Sequence, residues 1–302
     1  MQPSHGLYVE IFIRGSMDEL WEKTQDPSLH ELWDLRFTSI EYLPRPDVDA
    51  PQRFLYATRI GFGLGVEGKG ESVGTRDGAD GVRTSSLVFR SDDPRSLIRE
   101  GSGYWQYVPC DGGVRFLTWY DYATRFGAAG RVLDRAFRPL LGWATAWSFD
   151  RLRLWIERGL DPALTLRLTL VHAVARMAVA AVFLWHGLVP KLLFRHPDEA
   201  VMLTDAGVGA ATAAVGVVAA GVGEILLATA LIVFWRSRGW LWLVIVLMMV
   251  AIGSVGWYSP RFLTYAFNPV TLNGCVLALA TIALISSRDL PSSSRCHRAP
   301  AR

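Results

Sequence analysis

The chain has 302 residues, 51% of them hydrophobic, with 31 Lys and Arg against 28 Asp and Glu for a net charge of +3. Lys stands only at positions 23, 69 and 191, and the Arg residues cluster beside long apolar stretches instead of alternating with aromatics along one face, which excludes a nucleic-acid-binding surface. Cys110, Cys275 and Cys296 share no C-x-x-C or metal-ligand spacing, so neither a disulfide framework nor a metal site is expected.

The opening residues lack the charged-then-apolar order of a signal peptide, and the first half is expected to stay in the compartment where it is made. YVEIFIRG alternates as a strand. Ser16 and Glu19 then stand at capping-box spacing, so a helix should follow at once. DPSLHELWD, residues 26–34, reads as a turn into a second short helix. Between 38 and 124 come the β runs TSIEYL, RFLYATRI, VEGKGESVGT, VRTSSLVFR, GSGYWQYVP and VRFLTWYDYAT, separated by turn signals at 77–81 and 111–113. Tight turns between consecutive strands predict an antiparallel meander, six or seven strands with the first run included. A long helix is predicted over 130–158. Phe137, Leu140, Leu141, Ala144, Trp147, Leu154 and Trp155 recur at helical spacing there, and Arg135, Arg138, Asp150 and Arg153 face away. Pro139 should kink this helix or mark a late start.

Three stretches carry a resemblance: IFIRGSMDELWEKTQDPSLHELWD, GYWQYVPCDGGVRFLTWYDYATRFG and GRVLDRAFRPLLGWATAWSFDRLRLWIERG. Over residues 6–159 the chain resembles SRPBCC or START-like domains, in particular their polyketide cyclase/dehydrase-like branch. The resemblance implies an α+β helix-grip domain, an antiparallel sheet wrapped on a long C-terminal helix, over residues 1–160. It also implies a cavity between sheet and helix for a hydrophobic small molecule or lipid. Trp105, Tyr107, Phe116, Tyr120, Trp143 and Trp147 are the candidate lining residues, each with an ordinary core role as its alternative. His30, Asp34 and Arg36 form the one polar cluster with a catalytic look. No triad, metal spacing or phosphate loop accompanies them, so they read as a surface loop.

Beyond a connection of about ten residues over 159–168, four segments are long and apolar enough to cross about 30 Å of hydrocarbon: 171–194, 211–235, 240–257 and 268–285. Runs such as WLWLVIVLMMVAIG are apolar on every face, whereas a soluble helix keeps a polar stripe. Arg151, Arg153, Arg158, Arg167, Arg236, Arg238, Arg288, Arg295, Arg298 and Arg302 fall on one side of these spans, against Lys191, Arg195 and Arg261 on the other. The positive-inside rule then places both termini in the cytoplasm. Trp185, Trp235, Trp240 and Trp257 mark span ends, and Lys191 can snorkel to the headgroups. Polar groups at depth are expensive and tend to face the bundle interior. Arg176, Glu224 and Asn273 are expected to meet there, with Glu224 paired to Arg176. That cluster reads either as a structural lock on helix register or as a quinone or proton site.

The stretch RMAVAAVFLWHGLVPKLLF with His196 and Pro197 behind it, the GVGE ending at Glu224, and AFNPVTLNGCVLALA carry a second resemblance. Residues 161–290 resemble DoxX-like membrane proteins, with Gly187, Pro190, Lys191, Glu224, Asn268, Pro269 and Asn273 at motif positions. An all-α four-helix transmembrane bundle is implied, followed at 291–302 by a disordered cytoplasmic tail. The family includes a membrane subunit of a quinone-linked thiosulfate oxidoreductase and proteins associated with thiol and oxidative-stress homeostasis. It brings no catalytic residue with it. Two functions are therefore expected: a hydrophobic-ligand-binding domain held at the cell membrane by the bundle, or a subunit passing electrons to quinone with a redox partner protein.

Overall fold

A computed structural model describes residues 6–47, 50–61 and 63–300. Strand β1 (Leu7–Ile13) leads into α1 (Met17–Gln25), where the Ser16 hydroxyl accepts from the Glu19 N–H at 3.1 Å, and into α2 (Pro27–Trp33), capped by Asp26. The meander is β2 (Ser39–Tyr42), β3 (Arg53–Gly61), β4 (Leu64–Asp77), β5 (Arg83–Arg90), β6 (Ile98–Cys110) and β7 (Gly113–Thr124). The sheet has seven antiparallel strands in the order β1-β7-β6-β5-β4-β3-β2. Period-two alternation decides its inner face. Val9, Ile11 and Ile13 of β1 stand opposite Thr118, Phe116 and Val114 of β7, all six buried, while Arg115 points outward.

Helix α3 (Gly127–Arg158) runs through Pro139 without interruption. Its second half is buried from residue 145 to residue 152, Asp150 included, so Asp150 does not face away as its spacing suggested. Three elements surround that half. The sheet covers Ala146 and Phe149, and Ser148 accepts from the Leu35 N–H at 2.9 Å. Arg151 donates to the carbonyls of Leu32, Trp33 and Pro162, and its burial brings its pKa down to about 10.

The third element is the C-terminal segment, where the expected disordered tail is corrected. His297 forms a β-bridge with Glu10, the Ser292 N–H and Arg295 both donate to Asp150, and the Cys296 thiol donates to the Ala146 carbonyl. Burial, with Asp150 nearby, pushes that thiol up to about 12. The segment is ordered because a buried carboxylate and a sheet edge at β1 both need partners. One compact unit thus comprises residues up to Thr165 together with the segment from Pro291, and the other is Leu166–Leu290.

The connection into the second unit is shorter than expected. Gly159, at φ +63°, closes α3 with its N–H on the Leu154 and Trp155 carbonyls, the left-handed C-cap that glycine adopts without Cβ strain. Helix α4 (Pro162–His186) begins three positions later and continues as a π-helical stretch over Gly187–Leu193. Then come α5 (Pro197–Asp205), α6 (Ala210–Val233), α7 (Gly239–Tyr258) and α8 (Pro269–Ser286). Four helices, the first counted through Leu193, are long and apolar enough to cross a membrane. No more than 33% of any of their most apolar windows is buried. Leu226, Val246, Met249, Val250 and Ile285 face outward, an apolar exposure far beyond what water-soluble surfaces carry. Hydrocarbon is the solvent that fits it.

Candidate functional site

Within the bundle, packing is dense at one end and open at the other. Val179, Phe183, Leu231, Leu241, Val244, Ala280 and Ala283 form the core where α4 enters and α8 leaves. Toward the opposite end lies a cleft of about 810 Å³, walled by Val182, Phe183, Val217, Ala220, Met248, Val255 and Phe262. The span connections cover that end. Asp205 at the close of α5 accepts from Ser259 at 2.8 Å and from Arg261 at 2.7 Å.

The polar residues of the cleft form one cluster around Lys191. Its ammonium lies 3.1 Å from Glu224 Oε1 and 3.3 Å from Glu199. Glu224 Oε2 is buried and has no hydrogen-bond partner among the described residues. Asn268 and Asn273 also line the cleft, as do His186, His196 and Asp198.

The motif residues earn their positions structurally. Gly187 and Gly221 face each other so closely that a Cβ on Gly187 would stand 2.6 Å from the Gly221 carbonyl oxygen, and one on Gly221 2.9 Å from that of Gly187. This is the small-residue contact of membrane helices. Pro190 lies inside the π-helical stretch, where the Phe194 N–H reaches back to the Val189 carbonyl. Such local widening frequently accompanies functional sites. It directs Lys191 inward, where it is buried, in place of the snorkelling expected from its position near a span end. Asn268 caps α8 by accepting from the Thr271 N–H at 2.8 Å, and Pro269 is its first helical residue, the arrangement that pre-organises a helix start.

The expected Arg176 and Glu224 pair does not form. Arg176 donates to the carbonyls of Leu231, Phe234 and Ser237 and stacks near Trp235 at 5.5 Å. These carbonyls end α6, where orphan acceptors and the negative end of the helix dipole favour a cation. Leu231 is seven residues beyond Glu224, about 10 Å along the helix axis. Because α4 begins at Pro162, Arg176 is level with the end of α6 and not with its middle. Glu199, which completes the Lys191 cluster, was missed. Its only sequence signal is the HPDE run at 196–199, which sits between spans and reads as connection.

In the helix-grip unit the candidate lining residues split. Trp105, Tyr107, Phe116, Tyr120 and Trp147 are buried, whereas Trp143 is 42% exposed. Phe116 packs at 4.5 Å on Phe149, 5.0 Å on Tyr107 and 5.7 Å on Trp105. Polar tips are satisfied: Tyr107 by Thr24 and Gln25, Tyr120 by Thr145 at 2.8 Å. These rings make a core between sheet and helix. His30, Asp34 and Arg36 are not on a surface loop. Asp34 is 1% exposed and accepts from His30 at 3.0 Å and from Arg36 at 2.6 Å. Burial would raise the Asp34 pKa, but Arg36 and the hydrogen bond from His30 outweigh it and hold the carboxyl well below the usual range. Burial lowers that of His30.

A helix-grip domain followed by a four-span bundle defines the class: a membrane protein with a folded domain outside the bilayer. Residues 180–281 match the model of the DoxX-like family, a range that contains Gly187, Pro190, Lys191, Glu224, Asn268, Pro269 and Asn273. The uncharacterized membrane protein YndG of Bacillus subtilis (strain 168) is 53% identical over 168 residues, 55% of this chain, and the chain spans 62% of that relative's length. Similar solved structures include a STAR-related lipid transfer protein from Xanthomonas axonopodis, at 15% identity and TM-score 0.39, covering 52% of this chain and 97% of that one. Another is the Zhui aromatase/cyclase from Streptomyces sp. R1128, at 15% identity and TM-score 0.32, covering 49% and 97%.

Proposed function

We propose that this protein binds an apolar small molecule in the cleft of its membrane bundle and holds its helix-grip domain at the cytoplasmic face. The cleft itself carries the reading: about 810 Å³ of largely apolar wall closed by one polar cluster, the form small-molecule sites take. The Arg-rich span ends support the cytoplasmic placement. Exposed Cys110, the last residue of β6, checks it, since a membrane-impermeant maleimide should label it only after cell lysis. For binding, the full-length protein in nanodiscs is titrated with the neutral fluorophore N-phenyl-1-naphthylamine. A saturable rise in emission is expected, and Ala220→Trp, which fills the cleft wall, should abolish it without lowering the melting temperature. A linear, partition-like response identical in both proteins would overturn the reading.

A second site of lipid contact falls to the helix-grip domain, on the outside of α3. Val132, Leu133, Leu140 and Trp143 are exposed and, at about 100° per residue, share one arc of roughly 100°, with exposed Arg131 and Arg135 on its flank. Such an apolar arc flanked by arginines is suited to anionic lipid. A benzoylphenylalanine photocrosslinker at Leu140 should then yield lipid adducts in proteoliposomes. Adducts from the same group at Val250 but none at Leu140 would exclude the contact.

The redox alternative implied by the DoxX-like resemblance would put quinone in the same cleft. Mass spectrometry of the organic extract distinguishes the two, since quinone recovered together with a redox protein would favour electron transfer.

A further inference from the structure

We infer that the cleft takes its ligand as a cation: an organic ammonium or phosphonium carrying apolar substituents. This rests on the binding reading above and specifies its chemistry. The charges around the cleft are unequal. Lys191 is matched against Glu199 and Glu224, and Asp198, 3.7 Å from His196, adds a third carboxylate to the lining, with His186, Tyr265 and Cys275 the other titratable groups there.

The decisive atom is Glu224 Oε2. Lys191 occupies Oε1 at 3.1 Å and spends its remaining reach on Glu199 at 3.3 Å, while Oε2 is buried without a donor among the described residues. A carboxylate oxygen removed from water and left unpaired is costly and is relieved by a proton or by a nearby positive charge, and an organic cation in the cleft supplies the second. Arg176 cannot supply it, because its guanidinium is committed to three carbonyls at the other end of the bundle.

The remaining surroundings suit such a ligand. Phe183, Phe262 and Tyr265 line the cleft, and aromatic faces attract organic cations that have lost their water. An anionic ligand would meet the carboxylate excess. A neutral ligand without a hydrogen-bond donor would leave Oε2 as it stands.

Tetraphenylphosphonium and tetraphenylborate share size and shape and differ in the sign of charge, so they isolate this term. The full-length protein in phosphatidylcholine nanodiscs is equilibrated with each by dialysis. Saturable binding of the phosphonium and only partitioning of the borate is the expected result. Glu224→Gln should lower phosphonium affinity at least tenfold, and Glu199→Gln, which lies outside the spans, should lower it several-fold if the first variant loses its fold. Equal binding of phosphonium and borate, or full phosphonium affinity in both variants, would overturn the inference. Retained binding of the neutral fluorophore with no phosphonium binding removes the charge preference alone. Loss of both in the unaltered protein removes the binding reading as well.

Discussion

Each unit of this protein buries a carboxylate beside a cation, and the two clusters are finished differently. Asp34 has both oxygens occupied: Oδ1 accepts from the Arg36 N–H at 3.0 Å and from Arg36 Nε at 2.9 Å, and Oδ2 accepts from Arg36 Nη2 and from His30. Its surroundings are packed rings, with His30 between Trp33 and Trp105 at about 5 Å. Glu224, in the lining of the cleft, has one oxygen bonded to Lys191 and one buried with no partner among the described residues. A fully satisfied network rigidifies its core, whereas a partly satisfied one carries the cost of its unpaired group. The satisfied Asp34 fits a role in folding, and Glu224 is the carboxylate that the proposed binding would use.

The largest test is Asp34→Ala. It strands the Arg36 guanidinium in the interior, and removing one partner of a buried pair costs about 3–5 kcal/mol. Hydrogen exchange of β1 and β7 peptides in the full-length chain should report that loss, and unchanged protection would mean the cluster is not what holds this unit. Gly221→Val comes next. Its side chain would push against the Gly187 carbonyl oxygen and the Lys191 side chain, and overpacking of this kind costs roughly 1–3 kcal/mol. The melting temperature in detergent should fall while exchange in β1 and β7 is unaffected.

Acidification gives a smaller effect and separates the two members of the Asp34 cluster. The folded pKa of His30 is lowered by burial, so the unfolded chain binds a proton that the folded one refuses. Stability should therefore decline as pH falls below about 6.5, by up to roughly 2 kcal/mol at pH 5. Asp34 is depressed in the folded state, so its contribution is intact above the ordinary carboxylate pKa and adds no slope in that window. His30→Gln should flatten the decline seen in urea titrations. The smallest change is Asp150→Asn, which keeps an acceptor for Ser292 and takes the charge from Arg295 and Arg153, at about 1 kcal/mol because Arg153 retains Glu157 as its partner. Its signature is local: faster proteolysis within 291–300 with the sheet intact.

Much of the helix-grip unit was legible because local signals agree with tertiary need. Each β run in the sequence became a strand, and Ser16 caps the helix it predicted. The interior of that unit was read less well. Aromatic spacing on β6 and β7 is the same whether the rings line a cavity or touch one another, and only the distances among Trp105, Tyr107, Phe116 and Phe149 separate the cases. Trp143 shows the same ambiguity from the other side, since its helical position is compatible with either surface of α3.

In the bundle the polar residues themselves were visible as charges within apolar runs, and their pairing was not. Arg176, Glu224 and Lys191 differ in depth by amounts that depend on where α4 starts, and Pro162 sits nine residues before the expected start of the span. The π-helical stretch around Pro190 also rotates Lys191 away from the face a regular helix would give it. The C-terminal segment is the clearest non-local case, because a short Arg- and Ser-rich run has no order of its own and acquires it only from Asp150, Ala146 and the edge of β1.

The sequence by itself determined the solvent of each half, the strands and spans, and which residues are too costly to bury unpaired. Those follow from composition and periodicity, which act over a few residues. Only the tertiary structure decided the partners, joining Lys191 to Glu224 and Glu199, Arg176 to backbone carbonyls, and the tail to α3. Pairing depends on helix register and rotation across tens of residues, and no local pattern encodes those. The unpaired oxygen of Glu224 is the product of that register, and the cleft beside it is where the chemistry of this protein is to be sought.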